Sequence, residues 1–254
     1  MSNKIFLCSL THDGKLDHRM AGVFFTAATK NPQECDIYVK PSSLLAATCN
    51  EFWVKAINEN YEWFALLHAD IIPERFYLDK LIALAEQHKA DVMSAVVPIK
   101  SPEGTTSTAI SGKDEFTRTT RLMTKQVCHP LFPKTFDILE ACEALARQGW
   151  SFMAGDYPYH LLVNTGCMVV RLRQAWCRQA WFSMHDELID GPGGLSGRVE
   201  PEDWFFSRKA SEAGAHVMAT TEIRLEHLGT MSYHSHATWG QEQDPIGYLN
   251  KVNP

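Results

Sequence analysis

Residues 63 to 67, Trp-Phe-Ala-Leu-Leu, are apolar without alternation and run straight into His68-Ala-Asp70-Ile-Ile-Pro73-Glu74. A strand open to water on one face would alternate, so this unbroken run predicts a strand covered on both faces, as in a parallel sheet between helices. His68 and Asp70 lie two apart, and in an extended chain their side chains share a direction. Helical spacing follows from Glu74 to about His88, with Phe76, Leu78, Leu81, Ile82, Leu84 and Ala85 as apolar positions and Pro73 just before the start. Open α/β sheets hold ligands just past the carboxyl ends of their strands, so an imidazole and a carboxylate at such an end form a candidate cation site. Taken alone, the same pair also reads as a turn cap beside a core histidine.

The flanking segments repeat the unit. Lys4 to Leu10 reads as a first buried strand, closed by the polar turn Thr11-His12-Asp13-Gly14, where a nucleotide could rest. A helix is expected from about Asp17 to Thr29, a short strand over 36–40, and a helix from about Leu44 to Asn58 behind Ser42 and Ser43. Ala90 to Ile99 is a further apolar strand. The order strand, helix, strand, helix predicts an α/β fold with a mainly parallel central sheet flanked by helices.

Beyond residue 100 the pattern loosens. Residues 101 to 128 lack a stable period and read as loop and edge strands, the kind of segment that covers a site on a rigid scaffold. A helix from about Phe136 to Gln148 follows, then a strand in Asn164-Thr-Gly-Cys-Met-Val-Val-Arg171, whose early glycine marks a close approach. A helix is expected from about Leu172 to Trp181. Asp190-Gly-Pro-Gly-Gly-Leu-Ser-Gly197 has the composition of a mobile lid and lacks the Gly-Lys-Ser/Thr of a P-loop. It leads into a well-punctuated helix over 200–214, with Pro201 at its start, Glu202 and Asp203 in its first turn and Gly214 at its end. His216 to Ile223 reads as the last strand.

The remaining composition narrows the class. No apolar run approaches the ~18 residues of a membrane helix, so integral membrane association is not expected, and a cytoplasmic location is the default. Seven cysteines without a Cys-x-x-Cys pair read as reduced thiols. A formal net charge of -6 without a basic cluster argues against a protein held to nucleic acid mainly through phosphates.

With these pieces assembled, the chain resembles a GT-A-fold glycosyltransferase of the family 2 group. Ala46 to Asn50 on a helix, followed by Trp63 to Pro73, is similar to that family's helix and Asp-x-Asp strand end. Asn164 to Arg171 is similar to the strand preceding the acceptor side. Glu202-Asp203 and the helix they open look like the family's Glu-Asp helix, and Glu226-His227-Leu-Gly229 is similar to its metal-binding histidine segment. Two departures are visible: His68 replaces the first acid of Asp-x-Asp, and Ser9-Leu10-Thr11 lacks the family's common proline.

The resemblance implies one Rossmann-like GT-A domain over 1–254, with a nucleotide-binding half (1–100) and an acceptor half carrying the metal-binding C-terminal segment (101–254). It implies a hexosyl- or pentosyltransferase using a nucleoside-diphosphate sugar as donor and a hydroxyl acceptor: a glycan, a protein or a modified nucleic-acid base. A divalent cation is expected on Asp70 and His227, with His68 as a nitrogen ligand or a hydrogen-bond partner. Imidazole plus carboxylate favours Mn2+, with Mg2+ as second choice. Asp203 is the expected general base and Glu202 the alternative, while Thr11, Asn50, His68 and Asp70 are candidate donor-site contacts. Two competing readings are a non-catalytic nucleotide-sugar binder of transferase ancestry and a sugar nucleotidyltransferase. The latter normally carries a glycine-rich basic loop after its first strand, which Ser9 to Gly14 does not provide.

Overall fold

The computed structural model describes residues 4–30, 34–111, 119–152, 160–229, 232–236 and 249–251. The first half alternates as expected: β1 (Lys4–Thr11), α1 (His18–Lys30), β2 (Glu34–Pro41), α2 (Leu45–Asn58), β3 (Trp63–Leu67), β4 (Ile71–Pro73), α3 (Tyr77–His88) and β5 (Val92–Ala95). The second half is richer in strands. β6 (Thr105–Ser111), β7 (Thr119–Met123), α4 (Thr124–Val127), β8 (Thr135–Phe136), α5 (Ile138–Arg147), β9 (Trp150–Phe152), β10 (His160–Leu162) and β11 (Cys167–Arg171) come first. β12 (His185–Gly191), β13 (Gly194–Glu200), α6 (Glu202–Glu212), β14 (Val217–Thr220), β15 (Leu225–Leu228), β16 (Ser232–His234) and β17 (Leu249–Lys251) complete the described chain.

Seven strands form the central sheet in the order β2-β1-β3-β11-β5-β14-β8. β1 pairs in parallel with β2 and β3, and β14 with β5, whereas β11 runs antiparallel to both β3 and β5. Five strands therefore share one direction, with β11 and the edge strand β8 opposed.

The pleat divides the core between two faces. Phe6, Cys8, Phe64, Leu66, Val92 and Val170 point to one side, where α2, α5 and α6 pack with Trp53, Ala144 and Phe206. Ile5, Leu7, Trp63, Ala65, Met93 and Val169 point to the other, under α1 and α3 with Met20, Phe24, Leu78 and Leu81. All five residues of β3 are buried, which is why its sequence shows no alternation. This is the α/β architecture with a parallel-leaning sheet and flanking helices.

Several local expectations are corrected. The helix after Asp70 starts at Tyr77 rather than Glu74, because Ile71–Pro73 pair with β15 and Phe76 takes a left-handed conformation at φ 64°. The Asp190–Gly197 stretch is not a lid loop but the tip of an antiparallel hairpin, β12–β13, in register from His185↔Glu200 to Gly191↔Gly194. The helix expected over 172–181 reduces to a single 3-10 turn, Ala175–Arg178. All seven cysteines are free. Among the described residues no helix is long and apolar enough to cross a membrane.

Candidate active site at the end of β3

Asp70 is carried by the turn that follows β3. His68 donates its backbone N–H to the Gly166 carbonyl at 2.8 Å, and its own carbonyl accepts from Ile71 N at 3.1 Å, which closes the turn. β15 then pairs antiparallel with β4, placing His227 opposite Ile71, and Leu228 N donates to the Asp70 carbonyl at 2.7 Å. A segment from near the end of the chain is thus added as a strand beside the turn. Its outcome is a side-chain meeting: His227 Nε2 lies 3.5 Å from Asp70 Oδ2.

The His227 ring is oriented by its other nitrogen, which donates to the Pro98 carbonyl at 2.7 Å. Nε2 also hydrogen-bonds the carboxylate, so the ring, held on Nδ1 by Pro98, offers an Nε2 lone pair toward Asp70 only once that second proton is given up. Two facing acceptors suit a cation between them. Ligands about 2.1 Å from one ion at right angles are about 3 Å apart, so the observed pair needs to close by about half an ångström. The mixed nitrogen and oxygen set fits Mn2+ better than Ca2+ or Mg2+. Among the described residues no group of three or more His, Cys, Asp or Glu side chains is placed to hold a metal ion. Asp70 and His227 supply two of the positions that a divalent cation takes.

A residue that the sequence reading passed over completes this corner. Lys100, just past the apolar stretch that contains β5, places Nζ 2.5 Å from the same Asp70 oxygen. Burial raises the Asp70 carboxyl, but the hydrogen bonds from His227 and Lys100 outweigh it and hold the group well below the ordinary carboxylate range.

His68 plays a different part. Its Nε2 is buried with no hydrogen-bond partner among the described residues. Burial holds its pKa down near 4, with the positive neighbours His227 and Lys100 reinforcing the effect against the attraction of Asp70. The ring packs on Gly166, where a Cβ would sit 2.5 Å from Ile71 Cδ1, 2.6 Å from Asn164 Oδ1 and 3.0 Å from His68 Nδ1. The close approach expected of that glycine is therefore against Ile71 and Asn164 first, with the His68 ring beside them.

The same turn reaches the other half of the site. Asn164 Oδ1 accepts from Gly166 N at 2.7 Å, and Asn164 Nδ2 donates to Asp203 Oδ2 at 3.3 Å. Asp203 sits in the first turn of α6 and is buried. Burial, with the neighbouring charge of Glu202 adding to it, pushes its carboxyl up to about 7, against the opposing pull of the Trp204 amide, Arg121 and Asn164. Glu202 is also raised, by burial. α6 is fixed by a buried ion pair in which Arg208 Nε and Nη2 donate to Glu200 Oε1 and Oε2 at 2.9 and 2.6 Å.

Arg121 and Trp204 are further residues that sequence reasoning missed. The guanidinium stacks 4.4 Å from the indole ring centre, and Trp204 Nε1 donates to the Ser107 carbonyl at 2.8 Å. Trp204 borders a recess of about 170 Å3 together with Ser111, Leu162 and the hairpin residue Arg198. Their signal is a contact between strand β7 and helix α6, far apart in sequence, which a single chain does not display.

Two expected donor contacts have other partners. Thr11 is buried, and its Oγ1 accepts from Gly14 N at 2.8 Å, so it shapes the turn after β1. Asn50 bridges to Phe182, donating to its carbonyl at 2.7 Å and accepting from its N–H at 2.8 Å. That pair of hydrogen bonds ties α2 to the segment ahead of the hairpin.

No family model matches the chain, and no curated protein matches its sequence. Among solved structures, the crystal structure of A197 from STIV is similar over 99% of this chain and 97% of that one, with a TM-score of 0.50 and 11% sequence identity. At that identity the likeness is one of fold.

Proposed function

We propose that this protein is a glycosyltransferase of GT-A-like organisation, transferring a sugar from a nucleoside-diphosphate donor to a hydroxyl acceptor. The observation that carries the reading is the 3.5 Å meeting of Asp70 and His227 at the carboxyl end of β3, where open α/β sheets bind ligands. The segments that resemble that family's motifs, around Asp70 and His227 and at Glu202–Asp203, lie at this corner and at the start of α6, which supports the reading.

Sugar transfer from a nucleoside diphosphate leaves a highly charged group, and a divalent ion held by Asp70 and His227 supplies positive charge against it when bound. The Pro98 carbonyl keeps His227 in the tautomer that offers Nε2. The acceptor hydroxyl must lose a proton as it attacks the anomeric carbon. Asp203 takes that proton: a carboxyl with a pKa of about 7 is half ionised at neutral pH and basic enough to accept it. Asn164 and Arg121 favour its ionised form, and Glu202 is the second candidate for the base. The recess beside Trp204 and Ser111 is the acceptor side, next in sequence to Asp203.

The test is a panel of sugar nucleotides assayed for hydrolysis and transfer with Mn2+, with Mg2+ and with EDTA. The reading expects turnover of at least one donor with Mn2+, its loss in EDTA and its loss in Asp70→Ala. Metal-independent turnover, or full activity in Asp70→Ala, would reject it.

A further inference from the structure

Asp70 Oδ2 has two neighbours, and the nearer is not the imidazole. Lys100 Nζ lies 2.5 Å from it and His227 Nε2 3.5 Å, so an ammonium shares the same carboxylate oxygen that the imidazole faces. The path of that lysine is built into the fold. Gly229, one residue after β15, lies against the Lys100 stem: a Cβ there would meet Lys100 Cδ at 3.1 Å and Cγ at 3.4 Å. Tyr233 Cε2, also 3.1 Å from that position, leaves little room for the stem to yield. The head group itself is loosely held, with the Lys100 and Asp70 side chains 37% and 42% exposed. An exposed ion pair of this kind contributes little to stability, so it exchanges readily.

We propose that Lys100 is an exchangeable ammonium gate, resting on the metal-dependent reading above. In the substrate-free protein it neutralises Asp70 and repels a divalent ion. A diphosphate offers the ammonium a stronger anionic partner, so Lys100 moves onto the donor and releases Asp70 to the metal. The device makes metal and donor arrive together. Lys100 acts as a positioning residue with respect to the metal and as a direct contact of the diphosphate.

The experiment is an electron paramagnetic resonance titration of the full chain with Mn2+ alone, without nucleotide. Lys100→Met is expected to bind Mn2+ about tenfold more tightly than wild type, the size of an ordinary coupling between two charged sites. Lys100→Arg keeps the charge and is expected to match wild type. Gly229→Ala moves the lysine without removing its charge and is expected to raise the affinity in the same direction. The gain must vanish when Asp70→Asn is combined with Lys100→Met. Equal Mn2+ affinity in wild type and Lys100→Met overturns the gate alone and leaves the transferase reading standing. A gain that survives Asp70→Asn also overturns it, because the ion then sits elsewhere. Absence of Mn2+ binding in both proteins removes the gate and the metal assignment together, while donor transfer remains measurable in its own assay.

Discussion

One turn sets both Asp203 and His68: Asn164 donates to the Asp203 carboxylate at 3.3 Å, and a Cβ on Gly166 would sit 3.0 Å from His68 Nδ1. The turn lies between β10 and β11 and is anchored from below, where Ser94 Oγ donates to the Asn164 carbonyl at 2.5 Å. A rigid link between the proposed cation corner and the proposed base corner is what group transfer between two bound substrates requires. Several consequences are measurable.

The pH profile should report Asp203. Its carboxyl titrates at about 7 in the folded protein, and the base form populates above that value. Transfer activity at saturating donor is expected to fall about tenfold for each pH unit below ~6 and to level off above ~8. Asp203→Asn should lose ~100-fold or more of transfer while retaining donor binding by calorimetry.

Stability should carry the opposite mark. A buried acid whose folded pKa exceeds its unfolded value of about 4 stabilises the fold fully only below pH 4. That contribution is lost as pH rises to about 7, because the unfolded chain ionises first. Wild type is therefore expected to lose a few kcal/mol relative to Asp203→Asn between pH 4 and pH 7, measured by urea denaturation at each pH.

Partners that favour the ionised form should move that profile. Removing the Asn164 amide or the Arg121 charge takes away an interaction that lowers the Asp203 pKa. Asn164→Ala and Arg121→Met are each expected to shift the acid limb of the transfer profile upward, with the plateau at high pH less affected than the rate at pH 6. An unchanged limb in both variants would remove Asp203 from the reaction.

Gly166 should resist substitution on packing grounds. The neighbours a methyl would strike are confined, since Asn164 Oδ1 is bound to Gly166 N and Ile71 is buried. Gly166→Ala is expected to cost about 1–3 kcal/mol by chemical denaturation and to disturb metal and base corners together.

Much of this corner was readable from the chain, and the reasons are local. The unbroken apolar run 63–67 announces a doubly covered strand, and a His-x-Asp at its end falls where such sheets bind ligands. The Pro201-Glu202-Asp203 start of α6 is likewise written in helix-terminus chemistry. What was hidden depends on pairing across distance. β11 reads like its parallel neighbours because a strand buried on both faces has the same composition in either direction. The hairpin β12–β13 was obscured by its glycines, whose flexibility suggests a loop until the partner strand is seen. Lys100 closes another strand end at the same edge of the sheet as Asp70, so its position was a signal, but only the sheet order makes it one.

On the proposed reading, one divalent ion joins Asp70 to His227. A crystal of the full chain soaked with Mn2+ and a nucleoside diphosphate, measured at the manganese absorption edge, tests it directly. An anomalous peak is expected about 2.2 Å from an Asp70 oxygen and from His227 Nε2, with diphosphate oxygens completing the shell. Diphosphate bound at this corner with no manganese peak, or a peak coordinated by other side chains, would contradict it.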